Sequence, residues 1–298
     1  MADGDFGPLP SLPPLNPDNP MTEEKVELGK KLFFDPCLSG SNIISCNTCH
    51  NLATGGVDGL PTSLGHNFER GGRNAPTVLN SAFWSAQFWD GRAPTLEEQA
   101  KGPVLNPIEM AMPDGDTVVK KLKAIPGYEE EFRKVFGGRD PLTYQHVADA
   151  IAAFERTLIT PNAPFDRYLA GEDGAISEQA KRGFKTVQEA GCTACHSGPL
   201  FTNNTFVPFK YGKDLGRYEV TKKEEDRNVF RVQSWRNVAL TAPYFHDGSA
   251  GTLEEAVRTM AKVQLGKKLS KRQVSDIVAF LKSLTGDQPT VVYPTLPQ

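Results

Sequence analysis

The chain contains no apolar stretch close to the roughly 18 residues needed to cross a bilayer, so membrane insertion is not expected. It also lacks blocks of like charge. A formal net charge of −3 arises from 33 Lys and Arg against 36 Asp and Glu, mixed along the chain, so neither nucleic acid nor an anionic membrane is indicated as a partner. Convincing strand patterns are scarce, which points to a mostly α protein. The first residues, Met1-Ala2-Asp3-Gly4, lack the basic and then apolar order of an export leader. Cysteine and histidine are rare, at five each, so where they fall carries information. Glycine (27) and proline (23) are plentiful but short of the range of disordered chains, so helices joined by long, structured loops are expected. A length of 298 residues leaves room for two domains, each with its own core.

Four of the five cysteines lie in two stretches, Cys46-Asn47-Thr48-Cys49-His50 and Cys192-Thr193-Ala194-Cys195-His196. Cys-x-x-Cys-His is the attachment signature of c-type haem, and at this Cys and His content a chance match arises about one time in a thousand. One helical turn lets each thiol of a pair form a thioether with a haem vinyl group, and the following imidazole becomes the proximal iron ligand. Structural zinc takes four ligands, whereas each cluster offers three. The expectation is a dihaem protein with covalent haems on Cys46, Cys49, Cys192 and Cys195 and axial ligands His50 and His196. Haem of this type is attached after export, so the periplasm is the expected compartment and a removed leader is expected to have preceded this chain.

Residues 1–20 are proline-rich and read as an extended, poorly packed lead-in. An amphipathic helix is predicted over 22–34, with Val26, Leu28, Leu32 and Phe33 on one face. The stretch from Gly55 to Gly72 holds six glycines with little apolar periodicity, and a loop of that length inside a domain is usually functional. Thr95-Leu96-Glu97-Glu98 is a capping-box signature. Further helices are predicted over 116–124, 128–136, 144–158 and 177–190, the last running into the second haem motif. Residues 198–245 resist assignment. Thr252 with Glu255 and Ser270 with Gln273 open the final helices, and Gly286 ends the last. The expected domains are 21–160 and 161–289, with a tail over 290–298, each domain resembling a cytochrome c and carrying one haem.

With one histidine beneath each iron, function turns on the sixth position: filled, the iron carries electrons; open, it can do chemistry. Three histidines remain. His146, among polar neighbours, reads as surface. His246 could be a ligand, a supporting group or a satisfied loop residue. His66 lies in the glycine-rich loop, where little packing is expected to hold the backbone, so it could act as a removable ligand or be ordinary surface. Met260 shares an apolar face with Leu253 and Val257, which suits either core filling or thioether ligation.

Taken together, the residues resemble the bacterial dihaem cytochrome c peroxidases over nearly the whole chain. The matching stretches include Leu32-Phe33-Phe34-Asp35-Pro36, both haem motifs, Thr62-Ser63-Leu64-Gly65-His66, Arg73-Asn74-Ala75-Pro76-Thr77 and Ala86-Gln87-Phe88-Trp89-Asp90-Gly91-Arg92. Ala100-Lys101-Gly102-Pro103, the run from Asn237 to Gly248 and the segment from Met260 to Gly266 complete them. The resemblance implies a peroxidatic, low-potential haem on His50 with His66 as its removable ligand, and a high-potential haem on His196 with Met260 as its second ligand. It further implies Glu109 as the distal acid–base residue with Gln99 beside it, Trp89 as the electron bridge, and a calcium ion held by Asn74, Thr241 and Pro243. The implied reaction is reduction of hydrogen peroxide with electrons from a small cytochrome c or a cupredoxin, in a homodimer. Two positions depart from the pattern: Cys37 stands where arginine is expected, and Val232-Gln233-Ser234-Trp235-Arg236 replaces a Pro-Thr-Leu sequence beside the second haem. Cys37 is open to three readings, a free thiol, an intermolecular disulfide or an engineered handle. Rival readings are a dihaem electron carrier without peroxide chemistry, the related enzyme that oxidises a protein substrate during methylamine dehydrogenase maturation, and a zinc protein. The protein-oxidising relative carries tyrosine where Met260 stands.

Overall fold

The structure, a computed structural model, describes residues 6–298. The first half carries helices α1 (Glu23–Phe34), α2 (Cys46–Cys49), α3 (Leu96–Leu105), α4 (Gly115–Lys123), α5 (Pro126–Phe136) and α6 (Tyr144–Glu155). The second carries α7 (Pro164–Leu169), α8 (Glu178–Ala190), strand β1 (Phe206–Pro208), α9 (Tyr218–Thr221), strand β2 (Val229–Arg231), α10 (Leu253–Leu265) and α11 (Lys271–Lys282). Helix starts follow the sequence closely because side-chain oxygens fix them. Thr22, Thr95, Thr143, Ser177, Thr252 and Ser270 each accept a backbone N–H from the first turn. The boxes at Thr252 and Ser270 close reciprocally.

Each half has its own apolar core. In the first, Leu28, Leu32 and Phe33 of α1 meet Ile151 and Phe154 of α6. In the second, Val187 of α8 joins Val274, Ile277, Phe280 and Leu281 of α11. Both crossings turn on a glycine. A Cβ on Gly29 would run into the carbonyl oxygen of Ala150, and one on Gly183 into that of Asp276, so only glycine lets the backbones approach this closely.

The likeness extends beyond the helix and haem motif. Asn80 and Asn237, Phe88 and Phe245, and Gly91 and Gly248 fall at one constant spacing and all adopt positive φ. Residues Gln87 and Ala93 form the same isolated antiparallel bridge as Tyr244 and Ala250. A threonine-capped helix then follows in each half, α3 and α10. Across the seam the halves exchange matching hydrogen bonds: Asn74 N–H donates to His246 O and Arg231 N–H to Trp89 O, both at 2.8 Å. The amides of Asn80 and Asn237 both donate to the hydroxyl of Thr160, at 2.7 and 2.8 Å.

One expectation changes, and two stretches that carried none gain a structure. The lead-in is not poorly packed: the Phe6 ring sits 5.2 Å from both Phe184 and Phe201, Leu9 is buried, and Asn19 donates to Glu97 and to Asp149 O. Proline-rich backbone has few bonds of its own to make, yet its side chains find partners in both halves. The tail also docks, with Tyr293 4.6 Å from the Phe34 ring. The unassigned stretch 198–245 holds β1 paired antiparallel with β2, too short for a sequence period to reveal.

Candidate functional site

Both Cys-x-x-Cys-His motifs are wound into a single turn, as their spacing predicts. In the first, Ser45 and Thr48 cap each other, and His50 N–H donates to Cys46 O at 2.9 Å. In the second, Gly191 in the left-handed region ends α8, and His196 N–H donates to Cys192 O at 3.1 Å. All five cysteines are free of disulfides. The His196 Nδ1–H donates to Phe201 O at 3.1 Å, which orients the ring and leaves the Nε2 lone pair for a metal. Burial depresses both proximal imidazoles, His196 to about 4, which keeps them in the neutral, ligating form. Trp235, in the divergent 232–236 segment, stacks on His196 at 4.2 Å.

Each motif opens onto a cavity. The first, about 510 Å³, is lined by Cys49, His50, Gln99, Pro103 and Glu109. The second, about 440 Å³, is lined by Cys192, Cys195, His196, Trp235 and Met260. Both fall in the size range of cofactor sites; the second sets two thiols and an imidazole at its edge and the first a thiol, Cys49, and an imidazole, so the residues fit a haem. Among the described residues no group of three or more His, Cys, Asp or Glu side chains gathers to hold a metal ion.

The cavities share a wall made of Asn74, Ala75, Pro76, Thr77, Trp84 and Trp89. Trp89 is fixed there by its indole N–H, which donates to Asn74 O at 2.9 Å. Glu109 lies beyond the end of α3, where Asn106 Nδ2 donates to its Oε1 at 2.8 Å. Burial raises the Glu109 carboxyl above the usual range, against the opposing pull of Arg92 and Asn106. A carboxyl lifted toward neutrality beside an open cavity is suited to proton transfer.

The other candidates divide. Met260 reaches the second cavity with Leu253 and Val257. His66 does not line the first cavity, although Ser63, Gly65, Gly71 and Gly72 around it do. Its backbone is also better held than its glycine-rich surroundings suggest. His66 N–H donates to the carbonyls of Ile108 and Glu109 at 2.8 Å, and Gly65 N–H to Glu69 O at 2.9 Å. The expectation of a weakly packed loop is therefore corrected. Glycine content indicated freedom, but Gly65 is there because a side chain would strike Ile108 O.

His246 lines neither cavity. It is buried at the seam, stacked on Phe230 at 4.3 Å and edge-on to Trp89 at 6.2 Å. His146 is half-buried rather than free surface, stacked on Phe136 at 4.0 Å with Nδ1 on Pro141 O. Asn74 donates its amide N–H to Leu60 O. Its Oδ1 and the carbonyls of Thr241 and Pro243 receive no hydrogen bond from the described residues, a donor set that suits calcium. Cys37 packs beside the first core, its thiol pushed far up by burial and Asp35, so it is no ready thiolate. Sequence reasoning passed over Trp84, Glu155 and Arg231, all of which line a cavity. Their signal lies in the internal repeat, seen only when the halves are set side by side.

Residues 23–174 match the family model of the di-haem cytochrome c peroxidases. A cytochrome c551 peroxidase of Pseudomonas aeruginosa is 49% identical over 304 residues, covering 98% of this chain and 87% of that protein. The methylamine utilization protein MauG of Methylorubrum extorquens is 43% identical over 296 residues, covering 94% of this chain and 83% of that protein. Among solved structures, a MauG-like protein associated with microbial copper homeostasis superposes with a TM-score of 0.84 at 28% identity, covering 93% of this chain and 95% of that one.

Proposed function

The chain belongs to the di-haem cytochrome c peroxidase family, and from that premise we propose that it reduces hydrogen peroxide to water in the periplasm, drawing electrons from a small cytochrome c or a cupredoxin. The observation that carries the reading is the first cavity, where His50, Gln99 and Glu109 meet and whose wall includes Trp89, shared with the cavity of His196.

Haem held at His50 supplies the redox centre for peroxide, and haem held at His196 the centre that takes electrons from the donor. The remaining work falls to side chains. Glu109 takes the proton from the inner peroxide oxygen and returns it to the outer one, so that water leaves. Its raised carboxyl pKa supports both halves of that transfer. Gln99, on α3, offers an amide to orient the peroxide in the same cavity. Two further protons and two electrons complete the second water, and Trp89 offers the aromatic path between the cavities. Met260 completes the second site, and Asn74, Thr241 and Pro243 hold calcium at the seam. His66 is the removable ligand of the first site. Because its N–H bonds the carbonyls of Ile108 and Glu109, its displacement would be felt directly by the acid–base residue.

The MauG relative supports a second reading, oxidation of a protein substrate. Met260 in the second cavity argues for peroxidase, since a thioether ligand favours the reduced state expected of an electron-accepting haem. Peroxide turnover by fully oxidised and half-reduced protein, with haem spectra recorded in parallel, tests the proposal. Turnover in either state supports it. Protein with both haems present and no turnover in either state would be an electron carrier.

A further inference from the structure

Two buried donor atoms beside the second cavity, one on Arg231 and one on Trp84 of the shared wall, have nothing to donate to. Arg231 is 2% exposed and Trp84 8%. Neither Arg231 Nε nor Trp84 Nε1 finds a hydrogen-bond partner among the described residues. They are neighbours, the guanidinium carbon lying 4.1 Å from the Trp84 ring centroid. The remaining Arg231 nitrogens reach only neutral oxygens: Nη2 donates to Gln233 Oε1 at 2.9 Å and Nη1 to Val232 O at 3.5 Å. No carboxylate among the described residues pairs with it. Arg236, equally buried in the same half, shows the usual solution, with Asp166 at 2.7 Å.

An unpaired buried guanidinium costs several kcal/mol, on the order of a buried ion pair broken at one partner. Burial alone depresses its pKa to about 9. A cation and an indole N–H orphaned side by side call for an acceptor that carries negative charge. Both line the second cavity, with His196 and Met260, and a haem brings two carboxylates of its own. This step rests on the reading that His196 holds a haem. We propose that Arg231 Nε and Trp84 Nε1 form a cradle for one propionate carboxylate of the second haem. The charge-assisted bonds anchor that edge of the macrocycle. They also set a positive charge beside it, which favours the added electron less than full exposure to the cation would but more than a bare carboxylate does. The slot in the first half that matches Arg231, by the exchanged backbone bonds across the seam, holds the neutral Asn74. The effect is therefore confined to the second haem.

The test uses the haem-loaded protein and its Arg231→Gln, Arg231→Lys and Trp84→Phe variants, titrated spectroelectrochemically across pH 5 to 9 with resonance Raman spectra of the propionate modes. In Arg231→Gln the reduced-to-oxidised ratio of the second haem at fixed potential should fall at least about tenfold, equivalent to ~59 mV for one electron. Its midpoint should become more dependent on pH as the carboxylate is freed to titrate, and the first haem should not change. Arg231→Lys should restore most of the ratio, and Trp84→Phe should shift it in the same direction by less, with an altered propionate mode. Should Arg231→Gln fail to retain the second haem, the Trp84→Phe shift decides. Unchanged midpoints and propionate modes in the haem-loaded variants, or equal shifts at both haems, would overturn the cradle alone. A parent protein with a single haem by pyridine haemochrome assay would overturn the cradle together with the reading beneath it.

Discussion

The two halves repeat one backbone and differ at a few slots that face the cavities. Met260 of α10 lines the second cavity, and the matching residue of α3, Pro103, lines the first. One slot offers a thioether sulfur; the other offers nothing that can bind iron. Trp89 and His246 are likewise equivalent, and they meet edge-on at the seam. Glu155 of the first cavity corresponds to Leu281 of the second, since Phe154 and Phe280 pack alike against the crossing glycines. The lesson is that the shared fold supplies two equivalent cavities, and under the proposed function single side chains make one a closed, electron-carrying site and the other an open site equipped for acid–base work.

The change that should break this division most completely is Glu109→Ala. It removes the carboxyl to which the proposed mechanism assigns proton transfer in the first cavity, so peroxide turnover should fall by roughly two to four orders of magnitude while both haems remain. Steady-state turnover on protein of verified haem content checks it, and near-normal rates would take Glu109 out of the chemistry.

Gly29→Ala and Gly183→Ala should instead sharpen the comparison. Each forces a Cβ against a backbone carbonyl at the equivalent helix crossing, and backbone cannot swing aside as a side chain can. Each should cost about 1 to 3 kcal/mol, the range for overpacking, in thermal or denaturant unfolding. A strong effect at one glycine and none at the other would mean that the crossings are alike in outline only.

Much of this was legible in the sequence, for local reasons. The haem turns and the capped helix starts are encoded within a few residues, so spacing alone found them, whereas the last helix ends at Lys282 with Ser283 as its cap, short of the Gly286 stop expected. What escaped depends on contacts far apart in the chain. Asn74 bonds the backbone of His246, Arg231 that of Trp89, and Thr160 is shared by Asn80 and Asn237. No local period signals such pairs. Glycine misled once, at Gly65, where a close approach to Ile108 O looked like looseness. Arg231 and Trp84 were passed over because an arginine or tryptophan in a loop is ordinary until burial and missing partners are seen.

Met260→His probes the Pro103 and Met260 slot directly. Imidazole in place of a thioether lowers the potential, so the second haem should lose its reduced-state preference by more than about tenfold, ~59 mV for one electron, with the first haem unmoved. Redox titration checks both midpoints. If neither shifts, Met260 only fills space in the second cavity, and the asymmetry between the halves has another source.

The smallest effect is expected where Glu155 faces the first cavity and Leu281 the second. Glu155 is 5% exposed, its Oε2 has no hydrogen-bond partner, and burial pushes its carboxyl from 4.5 up to about 8, despite the opposing pull of Arg156. The sign follows from proton counting. Between those two values the folded protein keeps a proton that the unfolded chain has released, so the folded state binds more protons and stability falls as pH rises. The contribution is fully present below about 4.5 and lost on passing through about 8. Glu155→Gln keeps the shape and has no proton to lose, so its melting temperature should decline less steeply from pH 5 to 8 and exceed that of the parent at the upper end. Melting curves recorded across that window on haem-loaded protein decide the matter. Parallel slopes for parent and variant would show that Glu155 releases its proton no later than an exposed carboxyl, and that the acid in the first cavity is as indifferent to pH as the leucine in the second.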